Sequence, residues 1–169
     1  MSSLKVHTVQ SLATSAALYP VMGENVIPFG LAVIFIDIDH VIEYVRDTKS
    51  WDLRGIFAYA KIIENNLDKK FLFIAPFHTL EFLLLILLLA LWHPVFMYVF
   101  AGMVYHLCVD ILYLRKFGYR FARAYSLIEY ICRSSSGKYI VTVGKLIKQE
   151  NLVTAGIHNI NSWMEKWNS

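Results

Sequence analysis

The stretch that decides the reading is "LAVIFIDIDHVIEYV", residues 31 to 45. Five apolar residues follow Leu31, then Asp37, Asp39 and His40 interrupt before the apolar pattern resumes. Carboxylates and an imidazole inside an apolar segment of this kind are strongly disfavoured in a bilayer unless they find partners, so they mark functional sites. The question is where in the chain those partners lie.

Composition sets the background. The chain has 169 residues, 57% hydrophobic and 17% charged, with a mean hydropathy of +0.48. A soluble domain is roughly 45–50% apolar and about a quarter charged. The expectation is therefore an all-α integral membrane bundle forming one domain over residues 1–169. Within it, 7–114 would hold the metal-site bundle and 115–169 basic, amphipathic helices. The net charge of +3 is modest, and nothing suggests a nucleic-acid partner. Cys108 and Cys132 have no C-x-x-C spacing, which argues against a zinc knuckle or redox motif and for buried or reduced thiols. The N-terminal "MSSLKVHTVQSLATSAALYPVMG" lacks the compact apolar core of a signal peptide, so the first helix is expected to remain in the mature protein.

Four apolar segments follow along the chain, at 7–22, 26–46, 71–92 and 95–114. The third, "FLFIAPFHTLEFLLLILLLALW", is the clearest transmembrane candidate, at about the 20 residues a bilayer core requires. Amphipathic helices are expected at 122–132 and 138–168, separated by "SSSGK". Lys and Arg concentrate in the loop after the second segment and again after the fourth. The turns at Gly23–Asn25 and His93–Pro94 have none. The positive-inside rule then places both termini and the long loop in the cytoplasm.

On that topology the polar residues converge. His7 opens the first segment at its cytoplasmic end. Asp37, Asp39 and His40 lie late in the second, His78 and Glu81 early in the third, and His106 and Asp110 late in the fourth. All fall at the same level of the same leaflet. His106 and Asp110 are i and i+4, while Asp37–His40 and His78–Glu81 are i and i+3, so each pair shares a helix face. Imidazole with carboxylate suits zinc, with manganese or iron as alternatives. Seven candidate ligands, His7, Asp37, Asp39, His40, His78, His106 and Asp110, suffice for two ions, and two-metal centres serve displacement at phosphorus. Glu81 is a candidate general acid/base, an added ligand or a partner orienting His78, and Asp37 a second candidate proton carrier. Arg115, Lys116 and Arg120 are candidates for holding an anionic substrate group, otherwise a topology signal. The carboxylates have a blander reading as ion pairs with interfacial arginines. His93 and His158 read as a turn residue and a packing residue.

These residues resemble a known family, the YdjM-like, LexA-regulated inner-membrane proteins identified as membrane-bound metal-dependent hydrolases. The pattern is an N-terminal His, then D-x-D-H, then H-S/T, then H-x-x-x-D. It is matched here by His7, "DIDH" at Asp37–His40, "HT" at His78–Thr79 and "HLCVD" at His106–Asp110. The resemblance covers residues 7 to 110. It implies a place in the inner (plasma) membrane of a prokaryote. It also implies distant similarity to zinc-dependent phospholipase C and the S1/P1 nucleases, hence hydrolysis of a phosphoester such as a membrane-lipid or lipid-linked phosphate. The chain departs from the pattern at Phe73, where His-Arg is common, in the stretch "ILYLRKFGYRF" after the last motif, and at Glu81. Two other classes stay open: a haem-binding electron-transfer bundle, for which the carboxylates have no use, and a non-catalytic metal-binding membrane module.

Overall fold

A computed structural model describes residues 4–51, 55–56, 59–60, 72–116 and 123–141. The described chain is mostly helical. It divides into two compact units that alternate in sequence, Met1–Ile38 with Pro76–Arg120, and Asp39–Ala75 with Phe121–Ser169.

The first unit contains helices α1 (Leu4–Met22), α2 (Val26–Phe35), α4 (Leu80–Trp92) and α5 (Val95–Lys116). Gly23, at φ +57°, ends α1 in the left-handed conformation that glycine adopts without strain. A single 3-10 turn, Gly23–Asn25, then sends the chain back along α1 as α2. Small residues let these helices approach closely. Ser11 Oγ donates to the Gly30 carbonyl at 2.9 Å, and a Cβ on Gly30 would lie 2.7 Å from Ser15 Oγ. On α5, a Cβ on Gly102 would lie 2.4 Å from the Phe29 carbonyl oxygen. The Thr14 and Tyr105 hydroxyls, 2.8 Å apart, tie α1 to α5.

Two apolar clusters fill the spaces between helices. Val26, Phe29 and Val33 pack with Leu18, Met22 and Tyr105. Ile36, Ile86, Met103 and Leu107 pack with Phe77, Phe82 and Phe100. The buried residues of α5 are Gly102, Met103, His106, Leu107, Asp110 and Leu114, a stripe at helical spacing.

The structure corrects the expected segments in three places. The helix expected at 26–46 is broken by a turn at Ile36–Asp37, so Asp37 lies outside the following helix α3 (Ile38–Thr48). The expected 71–92 span is not one helix: Leu72–Ala75 is extended, Pro76–His78 is a 3-10 turn, and α4 begins at Leu80. Pro76 disfavours helix at the residue before it. Thr79, at φ −88° and ψ 154°, caps α4, its Oγ1 accepting from the Phe82 N–H. The 13 residues of α4 span about 20 Å, short of the bilayer core of about 30 Å. Third, the expected helix at 122–132 starts only at Leu127.

The second unit contains α3 from Asp39 onward, strands β1 (Phe73–Ile74) and β2 (Arg123–Ala124), and α6 (Leu127–Ser135). The strands pair in parallel with Phe73 opposite Arg123, and α6 packs on them. This small sheet is an addition to the all-α expectation. Ser126 caps α6, accepting from the Ile128 and Glu129 N–H groups, while Glu129 Oε2 accepts from the Tyr125 N–H at 2.9 Å. Lys138–Val141 is not helical, and the remainder of the helix expected at 138–168, like Arg120 and His158, lies outside the described residues.

Two helical stretches among the described residues are long and apolar enough to cross a membrane, His7–Thr48, counted through its turns, and Val95–Lys116.

Candidate metal centre

Five of the sequence-predicted residues meet inside the first unit. α1 carries His7, the turn after α2 carries Asp37, the 3-10 turn before α4 carries His78, and α5 carries His106 and Asp110 one turn apart. Their side chains are 3%, 15%, 0%, 0% and 9% exposed, respectively, so Asp37 is the most accessible of the five.

The donor atoms lie close together. His78 Nε2 is 3.3 Å from His106 Nε2 and 3.5 Å from Asp37 Oδ1. His106 Nε2 is 3.4 Å from Asp37 Oδ1. Asp110 Oδ2 stands 3.8 Å from His78 Nε2 and 3.7 Å from His106 Nε2. These five distances join two imidazole nitrogens and two carboxylate oxygens. Bonds of 2.0–2.1 Å to a tetrahedral zinc ion place donors about 3.3–3.4 Å apart. The other oxygen of Asp110, Oδ1, faces His7 Nε2 at 3.6 Å. One carboxylate thus addresses two imidazole groups, the arrangement a bridging ligand needs. The His7 and His106 rings stack at 4.3 Å, and His7, His106 and Asp110 form a buried group compatible with an ion.

The tautomer of His106 is set by the backbone. Its Nδ1 lies 2.8 Å from the Val33 carbonyl oxygen, which can only accept, so Nδ1 carries a proton and Nε2 is the nitrogen turned to the cluster. A proton on His78 Nε2 would satisfy one neighbouring acceptor at a time, whereas three stand within 3.8 Å of it. With neutral imidazoles the two aspartates leave a charge of about −2, which a divalent cation balances. The donor set therefore fits such an ion on geometry, charge and chemistry.

Asp39 and His40 belong to the second unit, both near the start of α3. Asp37 stands in the turn between α2 and α3, just before the helix that carries His40. His78 precedes the Thr79 cap, so it stands in the 3-10 turn and Glu81 in the helix that follows. Glu81 is half-buried in the first turn of α4, where a carboxylate complements the helix N-terminus. Arg115 and Lys116 are exposed in the last turn of α5, one turn and more beyond Asp110. His93 serves the turn as expected, its Nδ1 accepting from the Val95 N–H at 3.2 Å. Cys108 and Cys132 are free thiols, and both are exposed rather than buried.

The Val33 carbonyl is a site group that sequence reasoning missed, since a backbone acceptor leaves no residue signature. Glu43, buried in α3 three residues after His40, was missed although its spacing was visible. No family model, curated protein or solved structure matches this chain.

Proposed function

We propose that this chain is a membrane-embedded, metal-dependent hydrolase of the YdjM-like kind, acting on a phosphoester whose substrate class is a lipid phosphate. The observation that carries the reading is the buried set of two imidazole nitrogens and two carboxylate oxygens spaced at 3.3–3.8 Å. His78, His106, Asp37 and Asp110 would hold one divalent ion, zinc by donor type, with manganese or iron as alternatives. His7 and Asp110 Oδ1 would serve a second, and Asp39 and His40 keep the ligand role that their spacing suggests. Such an ion supplies Lewis acidity toward a phosphoryl oxygen and lowers the pKa of water.

The chain's own residues divide the remaining work. The Val33 carbonyl holds His106 with Nε2 toward the cluster. Asp37, with a side chain 15% exposed, is the carboxylate able to exchange a proton with solvent and substrate. Glu81 is the alternative proton carrier. Arg115, Lys116 and Arg120 hold the anionic charge of the substrate. The bundle of α1, α2, α4 and α5 lies in the bilayer with the cluster toward the cytoplasm. Only 22% and 28% of the most apolar windows of His7–Thr48 and Val95–Lys116 are buried within the protein, which leaves apolar side chains for lipid contact.

The test is elemental mass spectrometry of the purified full chain in detergent, with hydrolysis of phosphatidic acid and of p-nitrophenyl phosphate followed in parallel. One to two zinc, manganese or iron ions per chain, lost in His106→Ala together with turnover, are expected. A metal-free wild type, or a Soret band indicating haem, would overturn the proposal. Bound metal without turnover would favour the non-catalytic module.

A further inference from the structure

Glu43 is 5% exposed, and a buried carboxylate is unfavourable without a compensating role. It sits one turn from both Asp39 and His40 on α3. His40 Nδ1 lies 3.9 Å from Glu43 Oε2, and His40 Nε2 lies 4.0 Å from Asp39 Oδ1. The two ring nitrogens therefore face different carboxylates. A neutral imidazole has one N–H and one lone pair. With the proton on Nδ1, directed at Glu43, the Nε2 lone pair falls on the side of Asp39. At His106 the same polarity is fixed by a direct hydrogen bond, Nδ1 to the Val33 carbonyl at 2.8 Å.

Behind Glu43 the polar contacts continue. Glu43 Oε1 is 3.5 Å from an Arg46 NH2 group, Arg46 Nε donates to Asp47 Oδ1 at 2.8 Å, and the Tyr59 hydroxyl donates to Asp47 Oδ2 at 2.9 Å. The His40–Glu43 separation is about 1 Å longer than a charge-assisted hydrogen bond.

We propose that Glu43 is a positioning residue that holds His40 with its proton on Nδ1 and so presents Nε2, beside Asp39, to a divalent cation. The inference rests on the metal-dependent reading above, in which His40 is a ligand. Carboxylates that orient ligating histidines in this way typically contribute 10–100-fold in metal affinity. If Glu43 served only to neutralise Arg46, its removal would leave metal affinity unchanged.

Zinc affinity of the full chain in detergent, measured by competition with a chromophoric chelator, tests this. The series is wild type, His106→Ala, His40→Ala, Glu43→Ala, Glu43→Gln and His40→Ala/Glu43→Ala. The expected result is a 10–100-fold weaker affinity in Glu43→Ala, with part of it restored in Glu43→Gln, whose amide oxygen still accepts. Glu43→Ala should add nothing in the His40→Ala background. An unchanged affinity in Glu43→Gln and Glu43→Ala, or losses that multiply in the double variant, would overturn the inference. If Glu43→Ala fails to fold, comparison of Glu43→Gln with wild type in the two His40 backgrounds decides. Failure of the underlying reading looks different: wild type would then bind no zinc, or His106→Ala would bind it as well as wild type does.

Discussion

His106 is fully buried, yet it has polar company on two sides of its ring. Its Nδ1 has the Val33 carbonyl at 2.8 Å, and its Nε2 has two aspartates and a second imidazole within 3.7 Å. Asp110 is the counterpart, with one oxygen toward each half of the cluster. Asp110→Asn preserves shape and removes the charge, so zinc affinity is expected to fall at least tenfold, equivalent to about 1.4 kcal/mol. Chelator competition measures it. In the second unit, burial is the main cause that pushes the Tyr59 phenol above its ordinary range, with the nearby Glu43 and Asp47 carboxylates acting in the same direction. A raised phenol pKa keeps Tyr59 protonated in the folded state while the unfolded chain ionises near pH 10, so this residue's stabilisation is present below pH 10 and is lost above it. Between pH 10 and 11, wild-type stability should therefore fall more steeply than that of Tyr59→Phe. The difference should approach about 1.4 kcal/mol per pH unit in denaturant titrations.

At the scale of helices, close approach and capping do most of the positioning. A methyl group on Gly102 would meet the Phe29 carbonyl at 2.4 Å and the Ala32 side chain at 3.1 Å. Gly102→Ala is thus expected to force α5 away from α2 and to destabilise by about 1–3 kcal/mol, read as a lowered unfolding midpoint. Thr79→Ala removes the cap of α4 and should lower stability by about 1 kcal/mol in the same assay. The existence of the helices was legible from apolar runs, and the turn at Gly23–Asn25 from its residue types. Their interruptions were not. An apolar run reads alike through Leu72–Ala75 and through α4, and only Pro76 and Thr79 mark where extended chain gives way to helix. The break at Ile36–Asp37 has no Gly or Pro to announce it. The meeting of His7, Asp37, His78, His106 and Asp110 was legible as convergence at one level of four segments. Of the pairs based on ideal helical spacing, His106 and Asp110 share one helix, whereas turns put Asp37 before the helix of His40 and His78 before that of Glu81.

For the whole molecule, the two units share the chain in alternation, so the predicted ligands are divided between them, with Asp37 and Asp39 on opposite sides of the boundary. Large apolar side chains such as Val21, Leu91 and Trp92 are 85%, 83% and 87% exposed. Membrane-embedded chain is expected to stay in the pellet after alkaline carbonate extraction and to enter solution only with detergent. Recovery in the carbonate supernatant would contradict bilayer insertion. The spread of the cluster along the sequence also imposes an order on biosynthesis. His7 and Asp37 leave the ribosome with the first helical hairpin, whereas Asp110 is made about 70 residues after Asp37, roughly 4–15 s later at ordinary elongation rates. Within that interval only His78 is added to the set, while His106 and Asp110 come at its end. The cluster is therefore complete only once α5 has been made.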